Sequence, residues 1–158
     1  MERKKKIRIM PLIVCILIPL AVGGISAFLT KDSMAQFASM NQPPLSPPGI
    51  LFPIAWTILY ILMGIASYLV FASGSTTKRL WLVVYAIQLA FKFLWSPFFF
   101  NLHLYWFAFV WLLALWAMIL FLILSARKIN KNAVLCLVPY ILWCTFAAYL
   151  NAGVAVLN

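Results

Sequence analysis

The sequence predicts an all-α integral membrane protein, a single domain over residues 1–158 that forms a bundle of five transmembrane helices. Of the 158 residues, 66% are hydrophobic and 9% are charged, whereas a soluble domain carries about 25% charged residues. A chain of this length cannot bury so much apolar surface in a core of its own, so its solvent must be lipid. The segments lack the ten-residue alternation of a membrane β-barrel, and this leaves helices.

Uncharged runs locate the helices, because a transmembrane helix needs about 20 mostly apolar residues. Residues 11–30, 33–77 and 132–158 contain no charged side chain, and residues 80–126 contain only Lys92. Cutting these runs at their polar breaks gives five predicted spans, at about 10–30, 50–72, 80–100, 103–125 and 133–155.

The first span follows a basic segment and ends in small residues, a pattern that a secretory signal peptide shares. Its uncharged core of 20 residues, 11–30, exceeds the roughly 7–15 residues of a signal core, so a retained helix is favoured over a cleaved leader. Within this span Gly23 and Ala27 form a small-xxx-small step, which allows two helices to approach closely.

The positions of the basic residues predict the orientation of the bundle. They cluster at 3–8, 78–79 and 127–131, which lie on one side of the membrane if there are five helices, and the other side has only Lys31. Positive charge accumulates on the cytoplasmic side, so we expect the N-terminus inside and the C-terminus outside. The net charge of +10 is then a topology signal and a contact with anionic lipid, which argues against a nucleic-acid partner.

Cysteine and histidine usage gives no indication of a metal centre or a resident cofactor. The three cysteines, Cys15, Cys136 and Cys144, all lie within predicted spans. Cys136 and Cys144 are about 12 Å apart by helical rise, too far for a disulfide, and we interpret all three as small buried hydrophobic residues. The chain has one histidine, so no cluster with metal-ligand spacing exists.

The segment 31–49 is the only long predicted loop, and the topology places it outside. An apolar residue recurs every three positions from Met34 through Phe37 to Met40, which favours one short amphipathic turn. The four prolines of 43–48 favour extended, stiff backbone. Long ordered loops often have a function, so this one is either a cover for a site or a rigid strut.

The direction of each span brings Trp56, Trp95 and Trp143, on three different helices, to a similar depth beneath this loop. Helical spacing then identifies the side chains that share a face with one of these tryptophans: Tyr60 in span two, Gln88, Lys92 and Ser96 in span three, and Tyr140 and Ala147 in span five. The arrangement is typical either of a binding pocket or of ordinary aromatic packing and an interfacial aromatic belt.

Lys92 is the most informative single residue, because a lysine at the middle of a membrane helix costs about 2.5–3.5 kcal/mol on insertion scales. The two acidic residues, Glu2 and Asp32, both lie outside the spans and cannot pair with it in the bilayer. The side chain either extends to the membrane interface or faces a cavity, where it is neutral or meets the anionic group of a ligand. Gln88, one turn away, supports the cavity.

Three segments resemble the translocator protein family, also called tryptophan-rich sensory proteins or peripheral benzodiazepine receptors. They are SPPGILFPIAWTILYILMG (46–64), QLAFKFLWSPFFF (88–100) and LVPYILWCTFAAYLN (137–151). The resemblance covers the loop and four of the five spans in the right order. It implies a five-helix membrane protein, commonly a homodimer, that binds porphyrins, haem, sterols and drug-like carboxamides in a pocket below the first loop.

The resemblance also implies roles for individual residues. The pocket walls would be Trp56 and Tyr60 from span two, Trp95 and Ser96 from span three, and Trp143 and Ala147 from span five, with Phe37 and Pro47 in a lid. The tryptophans implicated in porphyrin breakdown in some family members correspond to Trp56 and Trp143, which the resemblance therefore implies as catalytic residues.

The sequence departs from the family pattern in three ways. Lys92 stands where the family usually has asparagine, so a more cationic pocket is expected. No acidic residue lies near Trp111, where the fourth helix of the family often carries one. No basic residue follows Tyr149, so the proposed sterol motif is absent and a sterol is less favoured as the ligand.

The residues and the resemblance support three functional hypotheses. The first is a receptor or sensor for tetrapyrroles, whose ring would stack on tryptophan and tyrosine while a propionate approaches Lys92. The second is light- and oxygen-dependent porphyrin degradation; a conventional acid–base enzyme is disfavoured, since no carboxylate lies in the spans and His103 is the sole imidazole. The third is a transporter of tetrapyrroles or sterols, which the absence of a visible inverted repeat disfavours.

The expected partners are therefore a porphyrin or another hydrophobic small molecule, membrane lipid and a second copy of the chain. The expected location is the inner membrane of a bacterial cell.

Overall fold

A computed structural model describes residues 6–158, with the exception of the side chains of Met34 and Gln36. Five helices follow one another: α1 (Ile9–Phe37), α2 (Leu51–Phe71), α3 (Lys78–Ser96), α4 (Tyr105–Ala126) and α5 (Lys131–Leu157), with a π-helical turn, Pro97–Asn101, after α3. Each helix is long and apolar enough to cross a membrane, and the described residues include no strand. The predicted all-α fold of five transmembrane helices is confirmed.

Helix α1 is longer than the sequence predicts. It continues beyond residue 30 through Lys31 and Asp32 to Phe37, so the predicted amphipathic turn is the last part of α1 rather than a separate element. The charges of Lys31 and Asp32 do not end the helix because both side chains are exposed. The side-chain amide of Gln42 then donates to the carbonyl of Phe37 at 3.2 Å and caps the helix end.

Helix α3 ends at Pro97, which has no backbone N–H to continue the α-helical pattern. The next five residues widen into the π-helical turn, closed by a bond from the N–H of Leu102 to the carbonyl of Pro97 at 3.0 Å. The side chain of Asn101 donates to the carbonyl of Leu29 at 3.3 Å and accepts from Ser33 at 2.6 Å. The turn between α3 and α4 is thereby tied to α1.

The helices pack as a single bundle in which α2 lies between α1 and α5, and α4 contacts α3 and α5. The wholly buried centre includes Met63, Leu115 and Leu137. A Cβ on Gly64 would lie 2.5 Å from the Cα of Ile16, so α1 and α2 approach closely only because residue 64 has no side chain. Large apolar side chains remain exposed on every helix, as expected for a lipid-facing surface.

The two ends of the bundle differ in charge. One end, here called the basic end, carries Lys78, Arg79 and the turn 127–131. The N–H of Arg8 donates to the hydroxyl of Tyr68 at 2.9 Å, which places the start of α1 at this end too. The opposite end, here called the loop end, carries the loop 38–50.

Part of the predicted charge asymmetry lies outside the described residues, namely Glu2 and the first basic residues, Arg3, Lys4 and Lys5. That the basic end faces the cytoplasm stays a prediction, because the bundle by itself has no inside or outside.

Candidate functional site

A cavity of about 390 Å³ lies at the loop end of the bundle, between α1, α2, α3 and α5 and beneath the loop 38–50. Its volume falls within the 300–1,000 Å³ usual for small-molecule sites. Nine of the eleven residues predicted for the site line it: Phe37, Pro47, Trp56, Tyr60, Lys92, Trp95, Ser96, Trp143 and Ala147. The fold thus brings together residues that are up to 110 positions apart in the chain, from Phe37 to Ala147.

The other two predicted residues, Gln88 and Tyr140, do not line the cavity. Both are wholly buried in the bundle. The hydroxyl of Tyr140 donates to Oε1 of Gln88 at 2.7 Å, and this buried pair links α3 to α5. Gln88 is one turn from Lys92 on α3, and Tyr140 is on α5 with Trp143. Their side chains are buried between the helices and do not reach the cavity.

Trp56 is the centre of the aromatic wall. Its ring centroid lies 5.6 Å from that of Tyr60 and 6.4 Å from that of Trp143, at an interplanar angle of 87°. The centroid of the Tyr140 ring lies 6.2 Å from that of Trp56. The contacts of Trp56 with Trp143 and with Tyr140 are edge-to-face, an arrangement that is favourable between aromatic rings and that orients the indoles of α2 and α5.

Lys92 faces the cavity rather than the membrane interface, and only 4% of its surface is exposed. Its Nζ lies 4.1 Å from the centroid of the Trp56 ring and 5.2 Å from that of Trp95, and it donates to Oγ of Ser96 at 3.3 Å. The faces of two indoles offset part of the cost of withdrawing the amine from water. Among the described residues, the one acidic side chain, Asp32, is exposed near the end of α1 and has no ion pair with Lys92.

A hydrogen-bonded chain orients Trp95. Its indole N–H donates to Oδ1 of Asn151 at 3.2 Å, and the side-chain amide of Asn151 donates to the carbonyl of Tyr105 at 2.9 Å. Asn151 is 1% exposed, so these bonds satisfy a polar group that burial would otherwise destabilise. Its place in the cavity wall was not predicted from the sequence.

Helix α1 supplies a wall that sequence reasoning missed, lined by Gly23, Ser26, Ala27 and Thr30. Only Thr30 has its hydroxyl bonded within the helix, to the carbonyl of Ser26 at 2.9 Å; Oγ of Ser26 is buried without a partner in the described structure. The signal was present as small and polar residues at helical spacing in an otherwise aliphatic span. The Gly23–Ala27 step therefore faces the cavity, and a Cβ on Gly23 would overlap the Tyr60 ring.

The loop covers the cavity and is fastened to the end of α5. The hydroxyl of Tyr149 donates to the carbonyl of Pro44 at 2.6 Å, and the side-chain amide of Asn158 donates to the carbonyl of Asn41 at 2.8 Å. Pro43 packs against Gly153, where an added Cβ would lie 2.5 Å from the proline ring. The loop therefore lies over the cavity and is attached to α5, and its role as a cover or as a rigid strut stays a prediction.

The chemistry available in the cavity comes from indoles, phenyl and phenol rings, hydroxyls, the side-chain amides of Gln42 and Asn151, and one amine. The lining residues include no carboxylate and no histidine, and the described residues contain no group of three potential metal ligands. The cavity is therefore suited to a flat apolar ligand with one or more anionic or hydrogen-bonding groups.

A bundle of five helices that are each long and apolar enough to span a membrane, around an aromatic cavity beneath a loop, defines a polytopic membrane protein with an internal cavity. The sequence model of the TspO/MBR family matches residues 15–157, and the chain belongs to this family.

Relatives match over three quarters or more of the chain. It is 36% identical to the tryptophan-rich protein TspO of Chlorobaculum tepidum, across 96% of this chain and 98% of the relative. It is 34% identical to the tryptophan-rich protein TspO of Archaeoglobus fulgidus, across 95% and 98% of the two chains. The translocator protein of Ovis aries is 34% identical across 78% of this chain and 75% of its own.

Proposed function

We propose that the protein is a membrane receptor or sensor that binds porphyrins such as protoporphyrin IX or haem, and related hydrophobic ligands, in the cavity at the loop end. The observation that carries this proposal is the convergence of three tryptophans from three helices on a cavity that also contains the amine of Lys92. A flat macrocycle can stack on these rings, and a propionate can form a charge-assisted contact with the amine.

Titration of the full chain in nanodiscs with protoporphyrin IX in the dark tests this function. We expect saturable quenching of tryptophan fluorescence, with a shift of the porphyrin absorbance band and at most one ligand per chain. Empty nanodiscs provide the control, since porphyrins also partition into lipid. A signal that rises linearly with porphyrin and equals that of empty nanodiscs would contradict the proposal.

A second candidate function is light- and oxygen-dependent degradation of the bound porphyrin. It is favoured by the contact of Trp56 and Trp143, whose rings lie 6.4 Å apart on the cavity surface. An illuminated porphyrin activates dioxygen, and electron-rich indoles next to the ring are the groups in this cavity most able to exchange electrons with the excited ligand. Loss of porphyrin absorbance under light and air, with no loss under argon or in the dark, would support degradation.

Transport of tetrapyrroles or sterols is the remaining alternative, and it is suggested by relatives that are named translocator proteins. Flux of protoporphyrin across proteoliposomes above that of protein-free vesicles would favour transport over sensing.

We also propose that the protein forms a homodimer in the inner membrane of a bacterium, with the basic end in the cytoplasm. The uneven distribution of basic residues supports this orientation. Relatives from bacteria such as Chlorobaculum tepidum support the location.

A further inference from the structure

A second concave surface lies at the basic end, far from the cavity beneath the loop. It is a groove of about 1140 Å³ between the start of α3, the end of α4 and the start of α5. Its apolar lining includes Leu80, Leu124 and Leu135, and its basic lining is Arg127, Lys128 and Lys131. The groove therefore combines an apolar trough along three helices with three basic side chains in one short turn.

The apolar part of the groove is open rather than filled by the protein. Leu80, Leu124 and Leu135 are 58%, 50% and 69% exposed. The floor is rigid, because Trp81 is 1% exposed and its indole N–H donates to the carbonyl of Leu122 at 2.9 Å. An acyl chain could lie along this trough without displacing any side chain of the core.

Among residues 6–158, the basic residues of the groove have free amine and guanidinium groups, whereas the neighbouring Lys78 is hydrogen-bonded to the protein. The amine of Lys78 donates to the carbonyls of Phe71 and Ser73, each at 3.2 Å, and so caps the end of α2. Arg127, Lys128 and Lys131 are exposed, and within the described part of the chain their side chains have no hydrogen bond or ion pair. Lys131 is also at the N-terminal end of α5, where the helix dipole disfavours a cation and an anion nearby would offset the repulsion.

We infer that this groove binds an anionic phospholipid of the surrounding bilayer, with the phosphate on Arg127, Lys128 and Lys131 and an acyl chain in the trough. Basic residues next to a transmembrane helix attract anionic headgroups, and here they stand directly above exposed leucines at the end of the spans. A water-soluble phosphate would use only the charged half of the groove. The apolar half, which extends down toward the membrane core along α4 and α5, favours the lipid as the occupant.

Native mass spectrometry of the full chain in detergent, titrated with phosphatidylglycerol or phosphatidylcholine, tests this inference. We expect one phosphatidylglycerol to bind at least ten-fold more tightly than phosphatidylcholine of the same acyl chains. The triple variant Arg127→Gln, Lys128→Gln and Lys131→Gln should lower the phosphatidylglycerol affinity roughly a hundred-fold, since each basic side chain near an anionic surface contributes roughly a factor of five and the three factors multiply.

The matched control is the triple variant Lys6→Gln, Arg8→Gln and Arg79→Gln, which removes the same charge from the same end but outside the groove. It should change the affinity by less than about three-fold. Equal losses in the two triple variants would overturn the inference, since net charge and not the groove would then attract the lipid.

Two further arms distinguish a lipid from a free anion. Millimolar inorganic phosphate or glycerol 1-phosphate should leave bound phosphatidylglycerol in place, and Leu124→Asn with Leu135→Asn should weaken phosphatidylglycerol binding several-fold with the charges intact. Displacement by either soluble phosphate, or no effect of the leucine changes, would overturn the lipid as the occupant. Protoporphyrin binding in the dark should be unchanged in all groove variants, so this test is independent of the proposed function.

Discussion

Lys92 shows at the residue scale how a membrane interior accommodates an amine. Removing the amine from water is costly, and the described structure provides no carboxylate to offset it. The faces of Trp56 and Trp95 and the hydroxyl of Ser96 surround it instead. These contacts also position the amine at the cavity surface, where it can meet an anionic ligand.

We predict that Lys92→Asn lowers the affinity for protoporphyrin IX relative to its neutral dimethyl ester. A hydrogen bond to a charged group is worth about 1.5–3 kcal/mol, so the dicarboxylate should lose roughly ten-fold or more, and the ester little. Parallel fluorescence titrations of the two ligands measure the difference, with circular dichroism to confirm that the variant is folded. Equal changes for acid and ester would mean that Lys92 does not contact the anion.

The tryptophans of the wall give a second prediction at this scale. Trp56→Phe or Trp143→Phe should weaken dark protoporphyrin binding several-fold and slow any photodegradation, because each removes an indole from the wall. Trp106→Phe is the matched control, since Trp106 is 56% exposed on α4 and does not line the cavity. The proposed site is misplaced if the two wall variants behave like the control in both assays.

At the scale of elements, the loop 38–50 and α5 act as one unit. The bonds from Tyr149 to Pro44 and from Asn158 to Asn41, and the contact of Pro43 with Gly153, hold the loop over the cavity. The prolines restrict the backbone between these contacts, so the cover is ordered at little further entropic cost. Release of a bound ligand past the loop would therefore require some of these contacts to break.

We predict that Gly153→Ala loosens the cover, since its Cβ would lie 2.5 Å from the Pro43 ring and the loop would have to shift. Protoporphyrin should dissociate several-fold faster, as measured by stopped-flow fluorescence. Gly24→Ala is the matched control, because Gly24 does not line the cavity and a Cβ there would meet no atom within 4 Å. Identical dissociation rates for the two variants would show that the contact of the loop with α5 does not control ligand release.

At the scale of the whole molecule, the outward faces of the helices determine how two copies of the chain could assemble. The Gly23–Ala27 step allows close helix approach, but both residues line the cavity and a Cβ on Gly23 would overlap the Tyr60 ring. A seam between two copies would therefore use another, outward face. The exposed apolar side chains of every helix leave room for one.

We predict a homodimer with a protein mass twice the 17.9 kDa of the chain, measured by light scattering in mild detergent and by mass photometry in nanodiscs. Gly24→Leu is directed at the outward face of α1, since a Cβ at Gly24 would meet no atom within 4 Å. If the dimer interface includes α1, the Gly24→Leu variant should have a lower dimer fraction than the unmodified chain. A monomer in both detergent and nanodiscs would contradict the homodimer.

The sequence by itself determined the properties that depend on composition and length. Sixty-six per cent hydrophobic residues require lipid as the solvent, and the uncharged runs set the number of helices. The direction of each helix then places Trp56, Trp95 and Trp143 at a similar depth. These inferences succeed because the bilayer acts on each segment separately, so no contact between helices is needed to make them.

Only the tertiary structure decided which face of each helix meets the cavity. Gln88 and Tyr140 have the right depth, but helix rotation turns them into a buried hydrogen bond. Ser26 and Asn151 line the cavity because the faces of α1 and α5 that carry them turn toward it. Neither residue is aromatic, so the search for aromatic side chains at one depth did not identify them. The rotation of each helix about its axis and its distance from its neighbours depend on contacts between helices, such as that of Gly64 with the backbone of α1. These contacts join residues that are distant in the sequence, and they exist only once the bundle has packed.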